Sequence, residues 1–224
     1  MKRSKKYVAS VKLIDKGKIY SANEAIELIK KMETAKFDAS IDIAIKLNLD
    51  TTKADQQLRG TIALPHFFGK PIRILAIDDT LTNDDAKTLG IKVGQTDVIN
   101  DIKNGWMEFD VIITTPKFMP ALSRLGKILG PKGLMPNPKL GTVTTNIKKT
   151  IDEFKKGKNQ YRTDTYGNIH MKIGKVSAPT KDIVENIEAL ISFIKSKRPS
   201  TVKGDYIQNI AISSTMGPSL KLVK

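Results

Sequence analysis

Few groups of side chains in this sequence have the types and spacing needed for acid–base or metal chemistry. The two histidines, His66 and His170, are isolated, and neither has a carboxylate at a spacing typical of a metal site. The Asp-Asp pairs at 78–79 and 84–85 could hold magnesium or transfer protons, although such pairs more often belong to helix starts and turns. The sequence contains no cysteine, which excludes disulfides, thiolate metal sites and a cysteine nucleophile. We therefore predict no catalytic residue, no metal site and no cofactor.

A glycine- and proline-rich segment, 126–141, lies within a basic stretch of the chain. Residues 111–151 contain no aspartate or glutamate, and their seven bases are Lys117, Arg124, Lys127, Lys132, Lys139, Lys148 and Lys149. The segment lacks the GxxxxGK[ST] phosphate loop, and its glycines follow a predicted helix and not a strand, as a GxGxxG turn would. We therefore predict no mononucleotide site there. The segment has two interpretations: it is either a basic loop that packs against a large anion or a loop that is simply solvated.

Two other short segments carry side chains that suit RNA. Phe37 follows Lys36 at the start of a predicted strand, so its ring could stack on an unpaired base while the ammonium group meets a phosphate. Alternatively, Phe37 fills the core between a helix and a sheet. Residues 213–218 (SSTMGP) combine small hydroxyls with a glycine, which allows close approach to phosphate or ribose oxygens. An ordinary turn explains this second segment equally well.

The overall charge favours a polyanionic partner. The 224 residues carry a formal net charge of +15, and the pI is near 9.8. This balance indicates nucleic acid first and an anionic membrane surface second. No apolar run approaches the roughly 20 residues that span a bilayer, and no apolar signal core follows the basic N-terminus. We therefore predict a cytosolic protein that does not contact membranes.

Hydrophobic periodicity predicts the elements that position these segments. After an N-terminal tail, Ser21 and Glu24 form a capping box that begins a helix. Strands are predicted at 41–49, 60–64, 72–77, 110–114 and 207–212, with a hairpin over 161–172 that turns at 166–168. Further helices are predicted at 83–89, 97–104, 118–129, 146–156 and 180–198.

The two kinds of strand pattern divide the chain into domains. Strands in the outer thirds alternate apolar and polar residues, whereas those in the middle are continuously apolar and alternate with helices. The outer thirds, 1–66 and 159–224, together predict a four-stranded α+β domain with two helices on one face. The α/β middle, 67–158, would then be an insertion. A tandem of two domains is the alternative.

Four segments resemble the bacterial-type large-subunit ribosomal protein one family. They are 59–65 (RGTIALP), 105–110 (GWMEFD), 130–139 (GPKGLMPNPK) and 214–218 (STMGP). The resemblance extends over essentially the whole chain, and the glycine- and proline-rich segment is its most specific part. It implies a split α+β domain with its sheet covered by helices on one face, built from both chain ends, and an inserted Rossmann-like α/β domain.

The resemblance also implies which residues bind RNA. In the family, recognition rests mainly on the split domain, and the matching positions here are Glu27, Lys36, Phe37, Ser40, Thr215, Met216 and Gly217. Ser40 stands where the family usually has threonine, so it keeps the hydroxyl but lacks the methyl group. The bases Lys5, Lys6, Arg162 and Lys172 are added to this prediction for their charge alone.

The function that the resemblance implies is a non-catalytic one on the large ribosomal subunit. The chain is expected to bind large-subunit ribosomal RNA at the mobile stalk as a monomer within the ribosome, and to help release deacylated transfer RNA from the exit site. Its own messenger RNA, which it would repress, is a further implied partner. Two other classes stay open: a nucleotide-dependent enzyme built on the middle third, and an RNA-binding factor that works away from the ribosome. The enzyme would need a glycine turn after the strands at 72–77 or 110–114, and neither has one.

Overall fold

The chain forms two compact units in a computed structural model that describes residues 3–15, 17–53, 55–69, 72–79, 91–94 and 96–223. The split unit combines both chain ends, Met1–Phe68 and Asn159–Lys224, and the middle unit is the segment between them, Gly69–Lys158. Helices and strands arranged in several sheets confirm the predicted mixture of α and β structure. The RNA-binding role of the split unit stays a prediction.

The helices and strands follow one another along the chain with mostly short connections. Before the middle unit come α1 (Lys5–Lys12), α2 (Ala22–Met32), β1 (Ser40–Leu47) and β2 (Arg59–Ala63). The next elements are β3 (Ile74–Ile77), β4 (Lys92–Gly94), α3 (Thr96–Lys103), β5 (Val111–Thr114), α4 (Met119–Ser123), α5 (Gly126–Leu129) and α6 (Ile147–Lys155). The chain returns to the split unit through β6 (Lys158–Arg162), β7 (Asn168–Lys175), α7 (Thr180–Ser196), β8 (Ile207–Ser214) and β9 (Leu220–Lys221).

Strand β1 lies inside the main sheet of the split unit. The sheet has the order β7-β1-β8-β9, and β1 is antiparallel to both of its neighbours. Every second residue of β1 is buried, from Ile41 to Leu47, and these side chains share one apolar core with α2 and α7. The alternation in the sequence therefore places one face of the sheet under the two helices. The other face carries small or polar side chains: Ser40, Asp42, Ala44, Lys172, Ala211 and Ser213.

The predicted hairpin over 161–172 is only partly correct. Its turn at 166–168 is present, and Gly167 takes a positive φ of 78° there, which glycine adopts without a steric cost. However, β6 pairs with β2 in a separate two-stranded sheet, whereas β7 pairs with β1. A single bridge between Thr163 and Ile169 joins the two arms antiparallel. Local turn chemistry therefore predicted the reversal of the chain but not the partner of each strand.

A buried asparagine fastens the chain where it leaves the split unit. Asn186 on α7 is fully buried; its side chain accepts from the backbone N of His66 at 3.0 Å and donates to the carbonyls of His66 and Ile173, each at 2.9 Å. The His66 ring also contacts Glu185, with 2.6 Å between Nε2 and Oε2. His66 thus has a structural role, because it holds the end of this segment against α7.

The middle unit contains a parallel sheet of order β4-β3-β5. All four residues of β3 are buried, and two apolar clusters form around the sheet, one with Leu75 and Ile77, the other with Ile74 and Ala76. A strand buried on both faces explains the continuous apolar pattern. The predicted helix at 83–89, with the Asp-Asp pair at 84–85, lies outside the described residues.

Two predictions of local structure were wrong. The N-terminal tail contains α1, which Ser4 caps by accepting from the backbone N of Tyr7 at 3.2 Å. The single helix predicted at 118–129 is instead a 3₁₀ turn at Pro116–Phe118 followed by α4 and α5. Between α4 and α5 the backbone N of Leu125 bonds three residues back, to the carbonyl of Leu122 at 2.9 Å. This tighter spacing interrupts the α-helical hydrogen bonding before Gly126, a residue that disfavours helix.

Candidate nucleic-acid interface

The start of β1 and the end of β8 are fastened to each other by hydrogen bonds. The backbone N of Thr215 donates to the carbonyl of Ser40 at 3.0 Å, and the backbone N of Ser40 donates to Thr215 Oγ1 at 3.1 Å. The Thr215 hydroxyl lies 3.3 Å from the Ser40 carbonyl and donates to it. Two sequence segments 175 residues apart therefore form one continuous surface, as the register of β1 with β8 requires.

Two large apolar side chains are exposed on this surface. Phe37 is 56% exposed and Met216 is 64% exposed, and Lys36 beside Phe37 is exposed as well. An aromatic ring left in water next to a lysine is available for stacking on a base. The exposure of Phe37 rules out the alternative in which this ring fills the core. We call Lys36, Phe37, Ser40, Thr215, Met216 and Gly217 the β1–β8 end surface.

The turn that carries Phe37 is held at both of its ends. At the α2 end, Glu33 Oε1 accepts from the backbone N of Thr34 at 2.9 Å and of Ala35 at 2.8 Å. At the β1 end, Asp38 pairs with Lys175 at 3.1 Å and accepts from the Ser177 hydroxyl at 2.9 Å. The contact with Lys175 lowers the pKa of Asp38. These bonds hold the backbone on both sides of Phe37 before any ligand binds, which lowers the entropic cost of binding.

The other predicted site residues lie on α1, α2, β6 and β7. Glu27 is exposed on α2, and Lys5 and Lys6 are exposed on α1. Lys172 is half-buried on β7, opposite Asp42 of β1, and Arg162 is exposed at the end of β6. Arg162 is separate from the β1–β8 end surface, since β6 belongs to the two-stranded sheet.

Gly217 lies close against Ser214 in the turn after β8. A Cβ atom on this residue would collide with Oγ of Ser214, which is itself buried. The backbone N of Gly217 also donates to the carbonyl of Ser214 at 3.1 Å. The turn after β8 is therefore tight, and it places Met216 at its exposed tip.

Comparison with known proteins assigns the chain to a family. The Ribosomal protein L1p/L10e family matches residues 29–218. The protein named Large ribosomal subunit protein uL1 from Mycoplasmoides gallisepticum is 63% identical over 99% of this chain and 97% of its own length. The proteins of the same name from Mycoplasma pneumoniae and Ureaplasma parvum are 57% and 55% identical, each over 99% of this chain and 97% of their own length.

This chain belongs to the ribosomal protein L1p/L10e family. It is a structural ribosomal protein of the large subunit and not an enzyme, and this confirms the resemblance found in the sequence. Its cytoplasmic location on the large subunit follows from the same relatives. Separately, none of the described helices is long and apolar enough to cross a membrane.

The acidic pair at 78–79 has structural partners in this L1-family chain. Asp79 forms an ion pair with Lys117, and Asp78 is buried at the end of β3 with a partner of its own. Across the described ranges, no group of three or more histidine, aspartate or glutamate residues could hold a metal ion. The residues at 78–79 therefore serve the fold of the middle unit.

The basic stretch of the middle unit is exposed to solvent. Four of its bases are exposed, one between α4 and α5, one on α5 and two in the segment after it: Arg124, Lys127, Lys132 and Lys139. Nearby, Lys92 lies over the ring of Trp106 at 3.7 Å from its centroid, and the Lys132 ammonium lies 2.7 Å from Met107 Sδ. The loop therefore presents positive charge, as predicted, and the GWMEFD segment packs under part of it.

Sequence reasoning predicted the turn at 166–168, near the other end of β1, but it missed the aspartate that holds this turn. Asp164 Oδ1 accepts from the backbone N of Tyr166 at 2.9 Å and of Asn168 at 2.8 Å, and Oδ2 accepts from the Asn168 side chain at 2.8 Å. The ring of Tyr166 is 75% exposed. The Asp-x-Tyr-Gly-Asn pattern at 164–168 was a possible signal, because aspartate two residues before a turn amide often accepts from it.

Acid titration tests the role of Asp164. Burial raises its pKa, but the hydrogen bonds from Asn168, Tyr166 and His170 outweigh burial and hold the pKa at about 2, below its ordinary value of 3.8. Since the folded-state pKa is the lower one, its stabilisation is complete above pH 3.8 and is lost as the pH falls towards 2. We expect Asp164→Asn to be less stable than the parent at pH 6, with a difference that shrinks below pH 4 in urea denaturation. A difference that stays constant from pH 6 to about pH 2 would contradict this role.

Proposed function

We propose that this chain binds large-subunit ribosomal RNA at the mobile stalk through the split unit. The observation that carries the proposal is the β1–β8 end surface, where Phe37 and Met216 are exposed on a backbone fixed by the Ser40–Thr215 hydrogen bonds. A partner that stacks on an exposed aromatic ring removes its apolar face from water, which favours binding. In this proposal an unpaired base stacks on the Phe37 ring, and the Lys36 ammonium group binds a phosphate of the same RNA.

The contacts of this interface divide into those that specify the RNA and those that add charge. Thr215 and Ser40 hydroxyls and the backbone beside Gly217 suit ribose 2′-hydroxyls and phosphate oxygens. Glu27 on α2 accepts hydrogen bonds from base amino groups. Lys5, Lys6, Arg162 and Lys172 would supply salt-sensitive attraction to the RNA backbone.

The middle unit is proposed to be a Rossmann-like insertion into the split unit. Its parallel sheet of order β4-β3-β5 and the apolar clusters around it support this class. Its exposed bases at Arg124, Lys127 and Lys132 support a weaker contact with ribosomal or transfer RNA. In this proposal the protein assists the release of deacylated transfer RNA from the exit site and acts as a monomer within the ribosome.

A second RNA is proposed to use the same surface. The chain would repress translation of its own messenger RNA where that RNA imitates the stalk. Since one surface serves both RNAs, they compete, and saturating stalk RNA should displace the messenger. Binding of both at once would overturn this part of the proposal.

Equilibrium binding to a stalk RNA fragment tests the main claim. The full chain should bind the fragment in preference to a scrambled RNA of equal length, with an affinity that falls steeply as salt rises. Equal affinity for both RNAs would overturn stalk recognition. Co-sedimentation with large subunits in high salt separates this function from that of an RNA-binding factor working away from the ribosome, which would stay in the supernatant.

The turn that carries Phe37 predicts the direction in which RNA affinity changes when Asp38 is replaced. Asp38→Ala removes a negative charge from an RNA-binding region, so charge alone predicts tighter binding to the stalk fragment. We expect weaker binding, by about three- to tenfold, because the loss of the Lys175 and Ser177 contacts frees the turn. Glu188→Ala, at an exposed position on α7, is the matched control and should leave affinity unchanged or slightly higher. Tighter binding by Asp38→Ala would show that the contacts of Asp38 with Lys175 and Ser177 do not contribute to RNA affinity.

A further inference from the structure

Tyr166 has the largest exposed fraction of the described aromatic side chains, 75%. It lies at the opposite end of β1 from Phe37, because Lys46 near the end of β1 pairs with Asn168 at the start of β7. Strand β1 has eight residues, and its first and last residues, seven steps of about 3.3 Å apart, are separated by about 23 Å. The ring is thus a second aromatic surface on the split unit, too far from Phe37 for both to contact one nucleotide.

The backbone around Tyr166 is fastened from three directions. Asp164 accepts from the backbone N of Tyr166 and of Asn168. The Lys46 ammonium donates to the carbonyl of Tyr166, and the Thr51 hydroxyl donates to the carbonyl of Thr165 at 2.6 Å. The turn is therefore rigid although its tip is in water. A rigid exposed aromatic ring loses little conformational entropy when a flat ligand stacks on it.

A polar cavity lies beside this turn. Its volume is about 460 Å³, and it is lined by Thr51, Gln57, Arg162, Thr163, Asp164 and Thr165. That volume is within the range of small-ligand sites. The Thr165 hydroxyl, the Gln57 amide and the Arg162 guanidinium provide donors for phosphate and ribose oxygens. The Thr51 and Thr163 hydroxyls already donate to the carbonyls of Thr165 and Leu58, so they can accept hydrogen bonds from ribose hydroxyls.

The charges at the cavity favour an anionic ligand. Among the described residues, Arg162 has no ion-pair partner, and its side chain is exposed. Asp164, the acidic group of the lining, directs its oxygens to Tyr166, Asn168 and His170. The guanidinium is thus the charged group available to a ligand, and it offers the planar pair of donors that phosphate accepts.

We propose that Tyr166, Arg162 and the adjoining cavity form a second RNA contact that takes one unpaired nucleotide. The base stacks on the Tyr166 ring, its phosphate meets Arg162, and the threonine hydroxyls bind the ribose. This inference rests on the proposed RNA-binding function, and it adds a site about 23 Å from the first. The nucleotide comes either from the stalk RNA or from deacylated transfer RNA, which share this chemistry.

Binding of the full chain to each RNA, over a series of salt concentrations, tests the second contact. Tyr166→Ala should weaken binding to at least one of the two RNAs by about five- to 150-fold, the loss expected for one stacked base, with the salt slope unchanged. Tyr166→Phe keeps the ring and should bind as the parent does. Arg162→Ala should lower the salt slope by about one, because one phosphate contact is lost.

Two controls separate this inference from the proposed function. Phe67→Ala removes another partly exposed aromatic ring and should leave both affinities unchanged. Phe37→Ala should weaken binding to the stalk RNA regardless of the result for Tyr166→Ala. If Phe37→Ala weakens binding while Tyr166→Ala binds both RNAs within twofold of the parent, the second contact is wrong and the proposed function stands. If the parent binds neither RNA, both are wrong.

Discussion

Replacing Phe37 by alanine is expected to weaken binding of the stalk RNA by about five- to 150-fold, at unchanged protein stability. The ring is 56% exposed, so its removal leaves no cavity in the core, whereas a base stacked on an aromatic ring contributes about 1–3 kcal/mol to binding. Since the side chain carries no charge, the dependence of affinity on salt should stay the same. Isothermal titration or filter binding measures the affinity, and thermal unfolding measures the stability.

Matched variants separate stacking from apolar contact at Phe37. Phe37→Tyr retains an aromatic face and should bind about as well as the parent, while Phe37→Leu retains apolar bulk only and should resemble the alanine variant. Thr215→Ala and Met216→Ala, on the other side of the same surface, should each weaken binding without unfolding the protein. If Phe37→Ala binds with full affinity, the Phe37 ring does not contact the RNA. Full affinity in both Thr215→Ala and Met216→Ala would show that the site was assigned to the wrong surface.

Replacing Asn186 by alanine is expected to lower the free energy of unfolding of the split unit by about 2–4 kcal/mol. The substitution leaves the backbone N and carbonyl of His66 and the carbonyl of Ile173 without their partner in a fully buried position, and each unsatisfied buried group costs about 1–3 kcal/mol before relaxation. It also frees the segment at His66 from α7. Urea denaturation followed by circular dichroism measures the change.

The control for Asn186→Ala lies on the same helix. Ser192 is exposed on α7, so Ser192→Ala should change the free energy of unfolding by less than about 0.5 kcal/mol. Equal stabilities of the two variants would show that the hydrogen bonds of Asn186 contribute little. Hydrogen exchange at the His66 amide gives a second measurement, because this amide should exchange faster in Asn186→Ala alone.

Periodicity predicted the elements whose side chains alternate between core and solvent. The pattern at 41–49 gave β1, since apolar residues at every second position fit a sheet covered on one face. The cap at Ser21 gave the start of α2, because its side chain accepts from the backbone N of Glu24 at 3.4 Å. Helix α1 was missed because it buries only Ser10, so its sequence has no apolar stripe to reveal it.

Strand pairing and exposure depend on long-range contacts that a single sequence does not display. The sequence marked Phe37 and Thr215 as candidates but gave no distance between them, and the bonds between Ser40 and Thr215 span 175 residues. Whether Phe37 was core or surface likewise depended on how β1 packs. The role of Asn186 was unpredictable for the same reason, because its partner His66 is 120 residues away.

Crosslinking within intact ribosomes tests the central claim most directly. A photoreactive phenylalanine analogue placed at position 37 should crosslink to ribosomal RNA of the large-subunit stalk, and the same analogue at Phe67 should crosslink there far less. This result would place the β1–β8 end surface on the stalk RNA. Crosslinks from position 37 that fall elsewhere, or on protein alone, would contradict the account.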